Sequence, residues 1–410
     1  MISTPLSLVD RARTRSWPAM GTALLMAAVL AACGGGGGGS DSTGTTPPPP
    51  AGTSSFTSGA ITGFGSVIVN GVRFDDSGAE VVDDDGQRHE RDELRLGEQV
   101  EIEASSIDRA SGQGVATRIR FGSEMVGPVA SIDGAAQTLV VLGQTVAIGT
   151  ATVFDDDLAG GFSGLTVGQV VEVHAQFDAA QGVYRATRIE TEDTPAAYKL
   201  RGLVEALDAA GRTFRIGSTV INYSDATDVA ENLANGVRVR VTLRTEPVSG
   251  QWMATRVQAG ERHHGDHDEA EVRGLITAWT SATEFSVNGL PVDARTASFP
   301  DGQTGVVLGA NVEVEGAIVN DVLVATKVQL EDEHEHEHEN EAYELHGAIT
   351  AADANARTFA LRGVTVAYTD ATVFRDLSAS DLTVGRKVEV KGALSADGTR
   401  VDATRISRED

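Results

Sequence analysis

Gly385-Arg-Lys-Val-Glu-Val390 and Ala403-Thr-Arg-Ile406 set the pattern of the whole chain, because both stretches recur in it. The alternation of apolar and polar residues in the first is typical of a β-strand with one buried and one solvated face. The glycine element begins at Gly97, Gly168, Gly236, Gly309 and Gly385, and the Ala-Thr element begins at Ala116, Ala186, Ala254, Ala325 and Ala403. A third element, Gly-x-Ile or Gly-x-Val, opens each copy at Gly59, Gly127, Gly202, Gly274 and Gly347. Three elements that keep one order five times predict five copies of one β unit.

The spacing of the copies, about 70 residues, indicates the fold class. Each copy has room for about five short strands, separated by turn residues such as Asp208-Ala-Ala-Gly211 and Asp397-Gly398. We also expect a short helical or looped excursion before the second glycine. Five strands in this length favour a small closed or nearly closed barrel of the OB or SH3 kind, since closure removes exposed sheet edges. The prediction is an all-β chain of five tandem barrels, each with its own small core, after a disordered signal and linker.

The predicted boundaries follow the three elements and the changes of composition between them. They are a signal peptide and lipobox at 1–33, a Gly/Pro tether at 34–55, repeat 1 at 56–122, repeat 2 at 125–192, repeat 3 at 198–260, a His/acidic linker at 261–269, repeat 4 at 270–330, a second His/acidic linker at 331–341 and repeat 5 at 342–410.

The N-terminal segment predicts the location of the protein. Three arginines between residues 11 and 15 precede the apolar run Met20–Ala32, which is too short for a bilayer span of about 20 residues but has the length of a signal-peptide core. The end of the run, Leu30-Ala31-Ala32-Cys33, resembles the lipobox of bacterial lipoproteins, which implies acylation of Cys33. By the same resemblance, Gly34 indicates the outer membrane. The alternatives are an ordinary uncleaved signal and a buried helix with a chance cysteine.

The stretch from Gly59 to Phe74, Gly-Ala-Ile-Thr-Gly-Phe-Gly-Ser-Val-Ile-Val-Asn-Gly-Val-Arg-Phe, resembles the opening of bacterial lipoproteins built from domain-of-unknown-function 5666 repeats. The Leu-x-x-Gly-x-x-Val-x-Val blocks at Leu94, Leu165, Leu233 and Leu382 resemble the same family. Repeat 4 departs from the pattern, because Val306-Val-Leu308-Gly309 replaces Leu-x-x-Gly. The likeness covers residues 56–410 and implies a secreted, lipid-anchored β protein, but it implies no reaction and no catalytic residue.

Charge and cysteine content exclude several functions. Lys and Arg number 33 and Asp and Glu 59, so the net charge is −26, which argues against nucleic acid or an anionic membrane surface as a partner. A single cysteine excludes an intrachain disulfide, a Cys-x-x-Cys redox site and a Cys-rich zinc site.

The distribution of the histidines indicates a metal ion as a candidate ligand. Six of the nine lie in the two His/acidic linkers, and these are His263, His264, His267, His334, His336 and His338. Imidazole and carboxylate groups bind Zn, Ni or Cu(II), so weak metal binding is one interpretation and a solvated charged spacer is the other. The span from His334 to His338 matches His-Glu-x-x-His, but a zinc protease needs that motif on a helix with an apolar face. We expect His89, His174 and His346 at ordinary surface or strand positions.

Two acidic runs, Asp83-Asp84-Asp85 and Asp155-Asp156-Asp157, superficially resemble calcium loops. Neither has the alternating acidic spacing of an EF-hand, so we expect exposed turn carboxylates.

The sequence therefore predicts a non-enzymatic, lipid-anchored lipoprotein of the cell envelope that binds or scaffolds through its barrel repeats. It would lie at the outer membrane and face the periplasm or the surface, with an envelope protein or a metal ion as partner, no nucleic acid and no obligatory cofactor. Repeated barrels offer many similar faces for weak multivalent contacts. The alternative function is capture of a divalent transition metal (Zn, Ni or Cu) by the His/acidic linkers.

Overall fold

The structure, a computed structural model, describes residues 54–108, 111–260, 263–331 and 343–409. Cys33, residues 34–53 of the predicted tether, and His334, His336 and His338 lie outside these ranges, whereas Ser54 and Ser55 begin the first strand. The regular elements of the described residues are strands and short 3-10 turns, which confirms the all-β prediction. No helix in these ranges is long and apolar enough to cross a membrane.

Repeat 1 closes into a barrel. Its strands are β1 (Ser54–Phe64), β2 (Val67–Val69), β3 (Val72–Asp75), β4 (Glu80–Val82), β5 (Arg88–His89), β6 (Gln99–Ser105) and β7 (Gln113–Phe121). Antiparallel pairing joins β1 to β2, β2 to β3, β7 to β6 and β6 to β1, and β3 pairs with β7 in parallel. The pairings return to β1, so these five strands form a closed barrel in the order first, second, third, fifth, fourth.

The other four repeats have the same barrel. Repeat 2 has β8 (Met125–Asp133), β9 (Thr138–Val141), β10 (Gln144–Phe154), β11 (Val170–Asp178) and β12 (Val183–Thr191). Repeat 3 has β13 (Tyr198–Leu203), β14 (Glu205–Asp208), β15 (Thr213–Ile216), β16 (Thr219–Asn222), β17 (Asp228–Val229), β18 (Arg238–Leu243) and β19 (Trp252–Ala259). Repeat 4 has β20 (His267–Ser281), β21 (Glu284–Val287), β22 (Leu290–Asp293), β23 (Asn311–Val319) and β24 (Val322–Leu330). Repeat 5 has β25 (Tyr343–Asp353), β26 (Thr358–Leu361), β27 (Val364–Ala367), β28 (Val373–Arg375), β29 (Lys387–Leu394) and β30 (Val401–Arg408).

Each of these circuits also closes through one parallel pairing, β10 with β12, β16 with β19, β22 with β24 and β27 with β30. In repeat 3 the opening strand is split into β13 and β14. Five-stranded Greek-key closure is the architecture of OB-like barrels, so the fold is of the OB kind.

Backbone hydrogen bonds explain the recurring glycine. In all five repeats the N–H of the second-element glycine donates to the carbonyl of the Ile or Val that ends the opening element, at 2.8 or 2.9 Å. The glycines have φ between 81° and 90°, a left-handed region that other residues avoid. In repeats 1, 2 and 5 a 3-10 turn precedes this glycine, at Arg91–Glu93, Gly161–Gly164 and Ala379–Asp381, as expected.

A β-bulge explains the recurring Ala-Thr element. In each repeat the fourth barrel strand shifts register by one residue opposite this element. The threonine hydroxyl donates to a carbonyl at the bulge, for example from Thr117 to Glu103 at 2.9 Å and from Thr404 to Lys391 at 3.0 Å. Bulges increase the local twist, and a small barrel needs that twist in order to close.

The cores differ from the expectation of five separate ones. One cluster of buried side chains joins repeats 1 and 5, a second joins repeats 2 and 3, and a third joins repeat 4 to Phe56 of repeat 1. Strands also pair between repeats, because β1 pairs in parallel with β20 and β25, and β8 pairs with β13. A barrel of this size buries little apolar surface alone, and pairing covers its exposed edges. The predicted linker 261–269 is likewise shorter in the structure, because β20 begins at His267.

Candidate functional site

A cavity of about 270 Å³ lies where repeats 1, 2, 3 and 4 meet. Its lining includes Phe56 and Glu101 of repeat 1, Phe177 of repeat 2, Arg201 of repeat 3 and Leu290 of repeat 4. An apolar wall with a few convergent charged groups is the usual composition of a ligand pocket. The cavity exists only because the repeats pack together, and no single copy of the unit contains it.

Two histidines of the predicted first linker, His264 and His267, contact Phe56, and His264 also lines this cavity. The ring centroids of His264 and His267 are 5.0 Å and 5.5 Å from that of Phe56. His264 Nε2 is 3.5 Å from Glu101 Oε1, and His267 Nε2 donates to the His264 carbonyl at 2.8 Å. Both rings are nearly buried, so they pack as part of the junction between repeats 1 and 4.

His263 and its partner Asp321 lie at the exposed part of the cavity lining. The side chain of His263 is 96% exposed, and its Nδ1 lies 2.8 Å from Asp321 Oδ2. The hydrogen bond to Asp321 and the attraction of that carboxylate raise the pKa of His263 above its usual value. Among the described residues, His263, His264 and His267 do not converge with one another as ligands of one ion. Metal binding by the two linkers stays a prediction, since the other three histidines lie outside the described ranges.

The first acidic run lies in a junction between repeats, which corrects the expectation of exposed turn carboxylates. Asp84 pairs with Arg201 of repeat 3, and Asp85 Oδ1 lies 2.7 Å from Arg240 Nη2. Lys199 Nζ is 2.9 Å from the other oxygen of Asp85. Burial opposes ionisation of Asp85, but Lys199 and Arg240 outweigh it and lower its pKa. The run therefore fixes the β4–β5 turn of repeat 1 onto a basic strip of repeat 3.

In the second acidic run Asp156 and Asp157 are exposed, as expected, and one of them contacts another repeat. Asp156 of repeat 2 accepts a hydrogen bond from the Thr365 hydroxyl of repeat 5 at 3.0 Å. Burial raises the pKa of this carboxyl.

Two other groups of residues bring a histidine close to two carboxylates. Glu98, His174 and Glu190 form one at the junction of repeats 1 and 2, and their ligand atoms lie within 4.8 Å of one another. Burial raises the pKa of Glu98 to about 7. Burial also tends to raise the pKa of Glu190, but the attraction of Arg188 and His174 outweighs it and lowers that pKa.

Glu344, His346 and Glu389 form the second group, in repeat 5 where it meets repeat 1. Glu344 Oε1 accepts hydrogen bonds from His346 Nε2 at 2.8 Å and from Arg73 Nη2 of repeat 1 at 2.6 Å. The hydrogen bond from His346 and, against the effect of burial, the attraction of Arg73 and Lys391 lower the pKa of Glu344 to about 2. Of the two carboxylates of this group, Glu344 is thus already paired with protein cations.

Sequence reasoning missed both groups, since it assigned His174 and His346 to ordinary strand positions. Both do lie on strands, β11 and β25, but the carboxylates around His174 come from two different repeats. An available signal is the comparison of equivalent positions in the five copies, because the position of His174 and the position of His346 each hold a histidine in one copy alone.

Comparison with known proteins identifies the family of repeats 2 to 5. A family described as "Domain of unknown function (DUF5666)" matches residues 126–190, 201–258, 273–329 and 346–407, which together exceed half of the chain. No curated protein matches the chain. Among solved structures, the drosophila Unr CSD456 is 14% identical, with a TM-score of 0.15, over 52% of this chain and 98% of that one.

Proposed function

The chain belongs to the DUF5666 family, a domain of unknown function, and we propose that it is a non-enzymatic binding or scaffolding protein of the cell envelope. In this proposal a lipid on Cys33 holds the protein at the outer membrane, and the five barrels act together as one body. The partner is a component of the envelope that the body binds.

The observation that carries the proposal is the sharing of β1 by three barrels. Residues Ser55–Ser58 pair with β6 of their own barrel and, on the other edge, with β20 of repeat 4. Further along the same strand, Gly63 and Phe64 pair with Glu344 and Leu345 of repeat 5. One strand thereby sets the positions of three barrels. Faces that are held in fixed positions lose less conformational entropy on binding than freely tethered ones, which supports a scaffold over independent modules.

The cavity supplies a binding position on this body. It combines the apolar side chains of Phe177 and Leu290 with the charged groups of Glu101 and Arg201. This mixture suits a ligand or peptide segment that has both an apolar portion and a polar end.

Photo-crosslinking in intact cells tests the binding role. A photoreactive residue replaces Gln176 in the cavity wall or, as a matched control, the exposed Ala135 in the β8–β9 turn. We expect one discrete crosslinked species from position 176 and none from position 135. Equal crosslinking at both positions, or none at either, would refute a binding role for the cavity.

Membrane fractionation tests the anchor. Cys33→Ser should move the protein from the membrane fraction to the soluble fraction, because a lipid anchor of several acyl chains holds a protein stably. A Cys33→Ser chain that is processed normally and still pellets with the membrane would contradict this part of the proposal.

A further inference from the structure

The group of Glu98, His174 and Glu190 plays no part in the proposed scaffold. Glu98 follows Gly97 in the loop that leads into β6 of repeat 1, whereas His174 and Glu190 lie on the paired strands β11 and β12 of repeat 2. Glu98 and His174 are 3% and 1% exposed. The three side chains therefore meet in the buried junction between two repeats.

The two carboxylates of this junction differ in their partners. Arg188 pairs with Glu190, and its Nη1 donates to the Leu96 carbonyl at 3.2 Å. Among the described residues Glu98 has no ion pair, and its Oε2 accepts one hydrogen bond, from the backbone N–H of Arg95 at 3.1 Å. A buried carboxylate without a counterion is costly, so this position favours a bound cation or a proton.

His174 has a free ring nitrogen in the same place. Its Nδ1 is buried without a hydrogen-bond partner, and one of its ring nitrogens lies within 4.8 Å of both carboxylates. Imidazole nitrogen is a common ligand of divalent transition metals in proteins.

The five repeats show that the barrel does not require these residues. The position of Glu98 is occupied in the other copies by Gln169, Val237, Ala310 and Arg386. The position of His174 is occupied by Glu103, Thr242, Glu315 and Lys391, and that of Glu190 by Arg120, Gln258, Gln329 and Ser407. Glu98, His174 and Glu190 each differ from the residues at the same position in the other four copies, and the three meet at a single point.

At the position of His174, repeats 1 and 4 form an ion pair that repeat 2 lacks. Glu103 and Glu315, at the position of His174, lie 3.6 Å from Arg118 and 2.9 Å from Lys327, the basic residues of their own Ala-Thr elements. With histidine at this position, Arg188 pairs with Glu190 instead. Histidine at this position removes the cross-strand ion pair that repeats 1 and 4 make, and it places a nitrogen ligand close to two carboxylates.

We propose that Glu98, His174 and Glu190 bind one divalent transition-metal ion, with Zn²⁺ as the representative, and that the ion ties repeat 1 to repeat 2. One imidazole nitrogen and two carboxylate oxygens are a suitable set for Zn²⁺, with bonds of about 2.0–2.2 Å. Such bonds place ligand atoms about 3.3 Å apart, so small rotations of the glutamate side chains complete the site.

Zinc titration of the purified full chain tests the site. The chain carries His334→Gln, His336→Gln and His338→Gln so that the second linker cannot contribute ligands, and chelator removes bound metal first. We expect one equivalent of Zn²⁺ with a Kd on the order of micromolar or tighter. His174→Gln and Glu98→Gln should each weaken binding on the order of 100-fold or more, since each removes a ligand directly.

His346→Gln is the matched control, because it removes the histidine of the other Glu-His-Glu group. It should bind zinc as the background chain does. Melting curves in chelator show whether each variant is folded, and Zn²⁺ should raise the Tm of the background chain but not that of His174→Gln. If His174→Gln does not fold, Glu190→Gln and the visible spectrum of the Co²⁺-loaded chain replace it.

Absence of stoichiometric zinc in the background chain would overturn the proposal. So would equal binding by the background chain and by the folded Glu98→Gln and Glu190→Gln variants. Loss of binding in His346→Gln alone would place the metal in repeat 5 and would equally refute the site proposed here.

Discussion

The loop before the second glycine has the same backbone in repeat 1 and repeat 5 but different surroundings. Gly97 and Gly385 have φ of 82° and 86°, and each donates its N–H to the opening isoleucine of its repeat. The residue before the glycine, however, is 1% exposed in repeat 1 (Leu96) and 67% exposed in repeat 5 (Val384). The repeated sequence specifies the turn, and the neighbouring barrel determines whether the tip of the turn is buried.

The neighbour of the repeat 1 loop is repeat 2. A Cβ added to Gly97 would lie 2.5 Å from the carbonyl oxygen of Thr187 and 3.0 Å from the side chain of Val153, whereas one added to Gly385 would meet nothing within 4 Å. The loop of repeat 1 is therefore inserted against strands β10 and β12, and that of repeat 5 projects freely.

The largest expected difference between the loops is in the side chain at the tip. Leu96→Ala should lower the free energy of unfolding by about 2–5 kcal/mol, because it leaves a cavity in a closed junction. Val384→Ala should change it by no more than about 0.5 kcal/mol, because the side chain is already solvated. Urea denaturation of both variants measures the pair, and equal effects would mean that the repeat 1 loop is not docked in solution.

Substitution of the two glycines distinguishes the cost of strain in the turn from the cost of disturbing the contact with repeat 2. Gly97→Ala and Gly385→Ala share the cost of a left-handed alanine, roughly 1–2 kcal/mol. Only Gly97→Ala also forces a methyl group against the backbone of Thr187, which should add about 1–3 kcal/mol. Limited proteolysis should accordingly cleave the Gly97→Ala chain faster near the junction of repeats 1 and 2. If Gly97→Ala and Gly385→Ala lower the free energy of unfolding equally, the contact of the repeat 1 loop with repeat 2 does not contribute to stability.

The two loops also show which features of the structure can be predicted from the sequence. The glycine and Ala-Thr elements predict strands, turns and the barrel class because they make local contacts inside one copy, such as the bond from Thr117 to the bulge at Glu103. Leu96 and Asp85 contact Arg188 and Arg240, which lie 92 and 155 residues further along the chain. No periodicity in one copy encodes such contacts, and this is why Asp83–Asp85 were expected in solvent and His174 was assigned no role.

The smallest expected effect is on the stability of the protein in acid. It compares an apolar contact of repeat 1 with an ion pair of the same repeat. Leu96 is an apolar contact of repeat 1 near Val153 of repeat 2. Arg73 and Glu344 form an ion pair between repeats 1 and 5, in addition to the apolar cluster that these two repeats share. The pKa of Glu344 falls from 4.5 to about 2 in the folded protein. The ionised carboxylate therefore stabilises the fold above pH 4.5, and this contribution is lost as the pH falls from about 4.5 towards 2.

Melting temperatures at pH 6 and pH 3 measure this contribution. Glu344→Gln cannot titrate, so its Tm should fall less between the two pH values than that of the unsubstituted chain. Leu96→Ala should lower the Tm at both values and leave the difference between them unchanged, because an apolar contact does not depend on ionisation. If Glu344→Gln loses as much stability in acid as the unsubstituted chain, the junction with repeat 5 does not depend on this carboxylate. The acid sensitivity of the body would then arise elsewhere, and the Asp85 contacts with repeat 3 are the next pairs to test because the pKa of Asp85 is lowered in the same way.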